Sequence, residues 1–186
     1  MRQEREYPRV NIAPKAERSV KSGHPWVYGE ETQGPDCAYE NGDIVDVYTE
    51  KGSWMGSGFI NDNSKIRVRI ISRNANDTYD KAFWERRIEY ALDYRDTVMA
   101  QGDTKCCRLI FGEADEFPGL TIDRFNDILV AQVLSLGMEK IKDVIFEGIY
   151  EALVRRGENI RGLYERNDVA IRELEGLREY KGWYKL

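Results

Sequence analysis

Apolar positions along the chain follow two different periods. Up to residue 72 they come in short alternating runs, at 10–12, 26–28, 43–49, 54–60 and 65–72. Period two marks strands with one buried face. Asn41-Gly42, Lys51-Gly52 and Asn61-Asp62-Asn63-Ser64 supply the turns that lead into the last three runs. One short helix interrupts them: Pro14 can open it, residues 15–21 fill it, and Ser22-Gly23 stop it. His24-Pro25 then forces extended backbone into Trp26. Short strands at this spacing predict a small barrel. In the last run Ile66, Val68 and Ile70 alternate with Arg67 and Arg69, which predicts an apolar inner face and a basic outer face.

Residues 74–78 are polar without periodicity, and the domain boundary is expected there. Beyond it, Phe83, Trp84, Ile88, Ala91, Leu92, Val98 and Met99 recur at three- and four-residue steps. They predict an amphipathic helix from about 80 to 101 with Gly102 as its stop. Strands are expected at 106–111, 120–125 and 128–134, with turns at Pro118-Gly119 and Asn126-Asp127. A second helix at 138–156 would turn Ile141, Val144, Ile145, Gly148 and Leu153 inward and stop at Gly157. A strand at 160–165 and a short helix from Asp168 to Gly176 complete the expectation. The fold class is thus α+β: a small barrel over 1–75, then a strands–helix–strand domain over 78–180.

Composition agrees with two small globular domains. The chain has 186 residues, 41% apolar and 33% charged, with eleven Tyr, six Phe and four Trp for its cores. No run reaches the roughly 20 apolar residues of a membrane span. The charged N-terminus has no apolar signal region, so a cytoplasmic protein without membrane association is expected. Cys37, Cys106 and Cys107 lack Cys-x-x-Cys spacing, and one His in the whole chain leaves no zinc ligand set. Buried thiols are expected.

Charge changes the picture more. The net charge is −5, yet residues 1–73 hold 11 Lys and Arg against 11 Asp and Glu, so the deficit lies entirely beyond them. Within 51–73, Lys51, Lys65, Arg67, Arg69 and Arg73 face Asp62 alone. Lys15, Arg18, Lys21, Lys51, Lys65, Arg67 and Arg69 surround the Gly23-His24-Pro25-Trp26 turn. Cations that neutralise phosphate beside an aromatic stacking face suit RNA, and a charge-decorated barrel surface fits equally well. His24 reads as a structural turn residue or as an RNA contact. Gly56-Ser57-Gly58 lacks the following helix of a dinucleotide fingerprint, so its glycines are expected to allow tight strand packing. Glu113, Asp115, Glu116 and Asp123 could gather round a hard cation, but a solvated loop is the simpler reading.

Several motifs occur together. They are Ser22-Gly23-His24-Pro25-Trp26-Val27-Tyr28, Gly42-Asp43, Gly56-Ser57-Gly58-Phe59-Ile60-Asn61 and Ile66-Arg67-Val68-Arg69. Further along stand Arg108-Leu109-Ile110-Phe111-Gly112-Glu113-Ala114-Asp115, Phe117-Pro118-Gly119-Leu120, Asp123-Arg124-Phe125-Asn126-Asp127, Tyr164-Glu165-Arg166-Asn167-Asp168 and Arg172-Glu173-Leu174-Glu175-Gly176-Leu177. In this order they resemble the PUA-containing bacterial ribosomal RNA cytosine-C5 methyltransferases, over almost the whole chain. Two departures stand out: Asn167 replaces a usual Ser, and Glu116-Phe117 stands where Gly-Leu is common.

The resemblance implies a PUA RNA-binding domain, a central α+β domain, and a C-terminal Rossmann-like methyltransferase domain that binds S-adenosylmethionine and carries a catalytic Cys. This sequence stops at Leu186, about where the third part would begin, and none of its three Cys matches the catalytic motif. The expectation is therefore an RNA-targeting part, inactive alone, with ribosomal RNA as partner, no catalytic residue, no metal and no cofactor of its own. A stand-alone RNA adapter remains open, as does a module that forms homodimers or larger oligomers through its sheet edges.

Overall fold

Turn residues and alternation build the first sheet. The computed structural model describes residues 5–99 and 104–186. Within them the residues up to Asp77, joined by Leu174–Gly176, form one unit, and Thr78–Glu173 with Leu177–Leu186 form a second. The first unit contains β1 (Arg9–Ile12), α1 (Pro14–Lys21), β2 (Trp26–Tyr28), β3 (Ile44–Thr49), β4 (Trp54–Ile60) and β5 (Ile66–Ser72). Its sheet runs β1-β3-β4-β5-β2, with β1 parallel to β3 and the other pairs antiparallel. An isolated bridge from Ile12 to Thr32 ties the β1 edge to the chain just past β2, drawing the two edges together. Val10, Val27, Val45, Val47, Ile60, Val68 and Ile70 fill the interior, and Ala16 and Val20 of α1 join them.

Two features fix the centre of this sheet. Gly58 faces the Arg69 backbone carbonyl so closely that any Cβ would overlap it, and a Cβ on Gly56 would lie 2.8 Å from the Ser72 carbonyl. The glycines thus permit tight strand approach, as their context in the sequence suggests. Asp46, which is buried, accepts from Arg5 Nε at 2.7 Å and Trp54 Nε1 at 3.1 Å, and also from the Ser57 hydroxyl. A buried carboxylate is tolerable only with such donors.

The second unit holds α2 (Lys81–Val98), β6 (Cys106–Phe111), β7 (Leu120–Phe125), β8 (Ile128–Val133), α3 (Leu136–Arg155), β9 (Gly162–Asn167) and β10 (Tyr180–Lys185). Sheet order is β10-β9-β8-β7-β6. β8 and β9 are parallel, so α3 is the crossover between them. Asp80 caps α2, its carboxylate accepting from Phe83 N at 2.9 Å. Gly148 lets Ile88 of α2 approach α3. Among the described residues no helix is long and apolar enough to cross a membrane.

Some expectations need correction. Val98 and Val144 were expected inside and are exposed. Arg87 and Arg95 occupy the buried stripe of α2 instead, because their guanidinium groups pair with Glu116 at 2.9 Å and Asp115 at 2.5 Å. Long aliphatic stems can line a core when the charged head finds a partner. Cys37 and Cys106 are exposed and Cys107 is half-buried, so buried thiols are not what the fold provides. β10 has no counterpart in the sequence reading, and the short helix expected from Asp168 to Gly176 is a 3-10 helix over Ala170–Glu175. The expected helix end near Gln101 and Gly102 lies outside the described residues.

Candidate nucleic-acid interface

Helix α1 sorts its side chains by burial. Ala16 and Val20 turn inward, leaving Lys15, Arg18 and Lys21 in solvent. Lys15 lies 3.6 Å from Glu31 and is 76% exposed; Lys21 pairs with Glu17 and is 61% exposed. The hydrogen bond from Lys21 holds the Glu17 carboxyl below its ordinary range, and the charges of Lys21 and Lys51 add to this. Lys51, on the exposed turn between β3 and β4, is therefore within electrostatic reach of α1.

Gly23 closes α1 with φ near +101°, where a side chain would be strained. The His24 amide then donates to Ser19 O at 3.1 Å. The His24 ring sits 5.6 Å from Trp26, edge-on, and 6.4 Å from Tyr28, nearly parallel. Tyr28 is exposed, and Gly29 beside it donates to Lys65 O at 3.1 Å, which places exposed Lys65 next to the aromatic run. Arg73 donates to Gly23 O at 3.2 Å and His24 O at 3.0 Å, bracing the turn from below. The structure thus brings Lys15, Arg18, Lys21, Gly23, His24, Trp26 and Lys65 to α1 and the turn that follows it, with Lys51 near α1. Tyr28 and Arg73 join them. The basic window at 51–73 included Arg73, but only folding shows that its guanidinium reaches the turn.

Arg67 and Arg69 do not form the open basic face that alternation suggested. Arg67 pairs with Asp62 at 2.8 Å and donates to Tyr39 Oη and Thr32 Oγ1 at 3.2 and 3.3 Å. Arg69 pairs with Glu175 at 2.7 Å and packs 5.8 Å from the Trp26 ring centroid. Both are mostly shielded from solvent. The alternation itself holds for Val68 and Ile70, but carboxylates from a turn and from residue 175 occupy the outer side. Burial alone would raise the Glu175 carboxyl. The charge of Arg69, with hydrogen bonds from Ser64, Arg69 and Asn61, holds it below its usual value.

In the second unit the acidic cluster is consumed by arginines. Asp115 accepts from Arg95, Glu116 pairs with Arg87, and Asp123 takes Arg108 at 2.7 Å. Among the described residues no group of three His, Cys, Asp or Glu could hold a metal ion. The motif residues at 165–172 are structural as well. Asn167 accepts from Val133 N at 2.7 Å. Buried Arg172 donates to Val133 O, to Arg178 O at 2.7 Å and to Glu139 at 3.1 Å. Glu165 takes Lys142 at 2.8 Å. Burial opposes the Lys142 charge, but bonds with Glu165, Tyr180 and Glu139 raise its pKa well above the ordinary lysine value.

Residues 10–73 match the family described as PUA-like domain. The chain is 32% identical over 173 residues to a ribosomal RNA large subunit methyltransferase I of Aliivibrio fischeri, covering 93% of this chain and 42% of that protein. The Aeromonas hydrophila protein of the same name is 36% identical with the same coverage, and that of Shewanella denitrificans is 37% identical over 94% and 43%. This chain therefore spans about two fifths of the length of these relatives. Among solved structures, a protein from Streptococcus mutans assigned as a SAM-dependent methyltransferase superposes with a TM-score of 0.71 at 20% identity, over 86% of this chain and 40% of that one. A second, assigned as a methyltransferase and complexed with SAH, gives 0.72 with the same identity and coverage. Both show the fold.

Proposed function

We propose that this chain is the RNA-targeting part of a ribosomal RNA methyltransferase, its first unit gripping RNA through α1 and the turn after it. The observation that carries this is the coincidence of the PUA-like match over 10–73 with the exposed cations and aromatic rings of that face. Lys15, Arg18, Lys21, Lys51 and Lys65 would meet phosphates, and the His24–Tyr28 rings would offer a surface to a base. Similarity to the large-subunit methyltransferases supports a cytosine of large-subunit ribosomal RNA as the destination, with S-adenosylmethionine as donor to the whole enzyme. In such a reaction a Cys thiolate adds to the cytosine ring and makes the neighbouring carbon nucleophilic. Nothing in the 186 residues is assigned that step. The two units would act as separate domains in the cytoplasm, the first as RNA reader and the second as its junction to the catalyst.

The test is a fluorescence titration of the chain with a structured fragment of large-subunit ribosomal RNA. Binding that weakens steeply from about 50 to about 200 mM salt is expected, because neutralised phosphates release counterions. Absence of binding at low salt would refute the reading.

A further inference from the structure

Among the described residues of the second unit, the helices lie on one face of its sheet. Leu92 of α2, Arg124 of β7 and Leu153 of α3 line a single cavity of about 150 Å³, so both helices lie on the same face. Lys142 of α3 reaches Glu165, and Phe146 packs on Tyr184, which fixes the helix-facing positions of β9 and β10. Alternation then sends Tyr164 and Arg166 of β9, and Lys181 and Trp183 of β10, to the other face. Pairing sets them side by side: Tyr164 opposite Trp183 and Arg166 opposite Lys181. The Tyr164 and Trp183 rings meet edge to face at 5.2 Å. Trp183 is 51% exposed, and Phe125 of β7, on the same face, is 56% exposed. A Trp ring carries a large apolar surface whose burial normally stabilises a small domain. Half of this ring remains in water.

The make-up of the face indicates what it suits. A helix layer would demand apolar side chains throughout; on β9 and β10 aromatics alternate with charged positions instead, beside Ile128 and Val130 of β8. Arg166 and Lys181 have side chains 67% and 61% exposed, and both lean on the one carboxylate of Asp168, at 3.8 and 3.2 Å. Arg108 holds Asp123 at 2.7 Å. Three cations thus stand against two carboxylates, in a chain whose net charge is −5. Exposed ion pairs of this kind contribute little and exchange readily for another anion. Exposed rings on a sheet, with loosely held cations beside them, match what unpaired nucleotides require: a stacking surface for bases and positive charge for phosphates.

We infer that the face of the second sheet opposite its helices is a stacking platform for unpaired RNA nucleotides, centred on Tyr164 and Trp183 with Arg166 and Lys181 at the phosphates. It is a second RNA surface, and it rests on the reading that this chain binds RNA. It asks for a single-stranded segment, because bases inside a duplex do not expose their faces.

The experiment titrates the full chain with a single-stranded RNA dodecamer and with a blunt duplex of the same sequence. Four proteins are compared: the unaltered chain, Trp183→Ala, Trp183→Phe, and Arg18→Glu/Lys21→Glu/Lys65→Glu in the first unit. Trp183→Ala is expected to lose about tenfold in affinity for the single strand, the typical effect of removing one base–aromatic stack. Trp183→Phe should keep most of the affinity, and binding to the duplex should change little. Thermal melts of the Trp183 variants identify any general loss of folding. If Trp183→Ala binds like the unaltered chain while the first-unit variant is weakened, the platform is refuted and the RNA-targeting function stands. If no protein binds either RNA, both fail. Should Trp183→Ala instead turn a dimer into a monomer at unchanged RNA affinity, the face is a self-association surface and the inference is overturned.

Discussion

The Arg69 guanidinium donates to the Glu175 carboxylate at 2.7 Å across 106 residues of sequence. Asn61 holds the same carboxylate through Nδ2 at 3.0 Å, and both charges of the pair are mostly shielded from water. Removing one partner of such a pair leaves the other buried and uncompensated. Glu175→Ala should therefore destabilise the protein by about 3 kcal/mol in urea unfolding, whereas Arg69→Met/Glu175→Leu should cost much less. Equal losses from the single and the double variant would show that the pair is not coupled.

Glu175 also sets a pH dependence. Its folded-state pKa is lowered from an ordinary 4.5, so its ionised form stabilises the fold. That contribution is complete above 4.5 and is lost as pH falls through the lowered folded value. Stability measured from neutral pH downward should drop in this acid window, and Glu175→Gln should flatten the drop. An unchanged profile in Glu175→Gln would assign the acid loss to other carboxylates.

Gly58 gives a prediction about packing alone. A Cβ there meets the Arg69 carbonyl, which is backbone and cannot rotate away. Gly58→Ala should cost about 2 kcal/mol or more, in the range of overpacked cores. Gly34→Ala, where a Cβ meets nothing within 4 Å, should stay within about 0.5 kcal/mol. Urea midpoints of the two variants decide the matter.

How much the sequence disclosed depends on the distance over which each feature is decided. Strand alternation, the Asn-Gly and Pro-Gly turns, and the Gly23 stop are local, and β3, β4, β5, β7 and α3 stand close to where they were expected. Partners distant in sequence were not legible. Alternation gives the side of a strand on which Arg67 and Arg69 lie, but not that Asp62 and Glu175 arrive to cover them. β10 escaped because Tyr180, Gly182 and Trp183 carry no clear apolar–polar alternation, and only pairing with β9 makes it a strand. The aromatic turn at His24 was visible as residues, while its bracing by Arg73 was not.

Glu116 shows a departure in sequence acquiring a cause. It sits at φ 63° and ψ 31°, the left-handed conformation that favours glycine, at a position where glycine is common in the family that the sequence resembles. Its side-chain pair with Arg87 is open to water on the carboxylate side, and Arg87 also donates to the Glu116 backbone carbonyl at 2.8 Å, a bond that glycine would keep for the buried guanidinium. Glu116→Gly should leave stability unchanged or raise it by up to about 1 kcal/mol, and Glu116→Val should lower it. A melting temperature that falls more for Gly than for Val would contradict this account.

The most direct measurement concerns the exposed cations of the first unit. Arg18, Lys21 and Lys65 are exposed, whereas Arg67 and Arg69 are engaged by Asp62 and Glu175. Arg18→Glu/Lys21→Glu/Lys65→Glu is compared with a reversal of three exposed cations of the second unit, Lys81→Glu/Arg86→Glu/Lys140→Glu. Both are titrated against the large-subunit ribosomal RNA fragment at several salt concentrations. The first variant should bind far more weakly, and its dependence of log affinity on log salt should flatten by about one for each phosphate no longer neutralised. The second should keep nearly the slope of the unaltered chain. Equal losses from the two variants, or an unchanged slope in the first, would contradict RNA recognition by α1 and its turn.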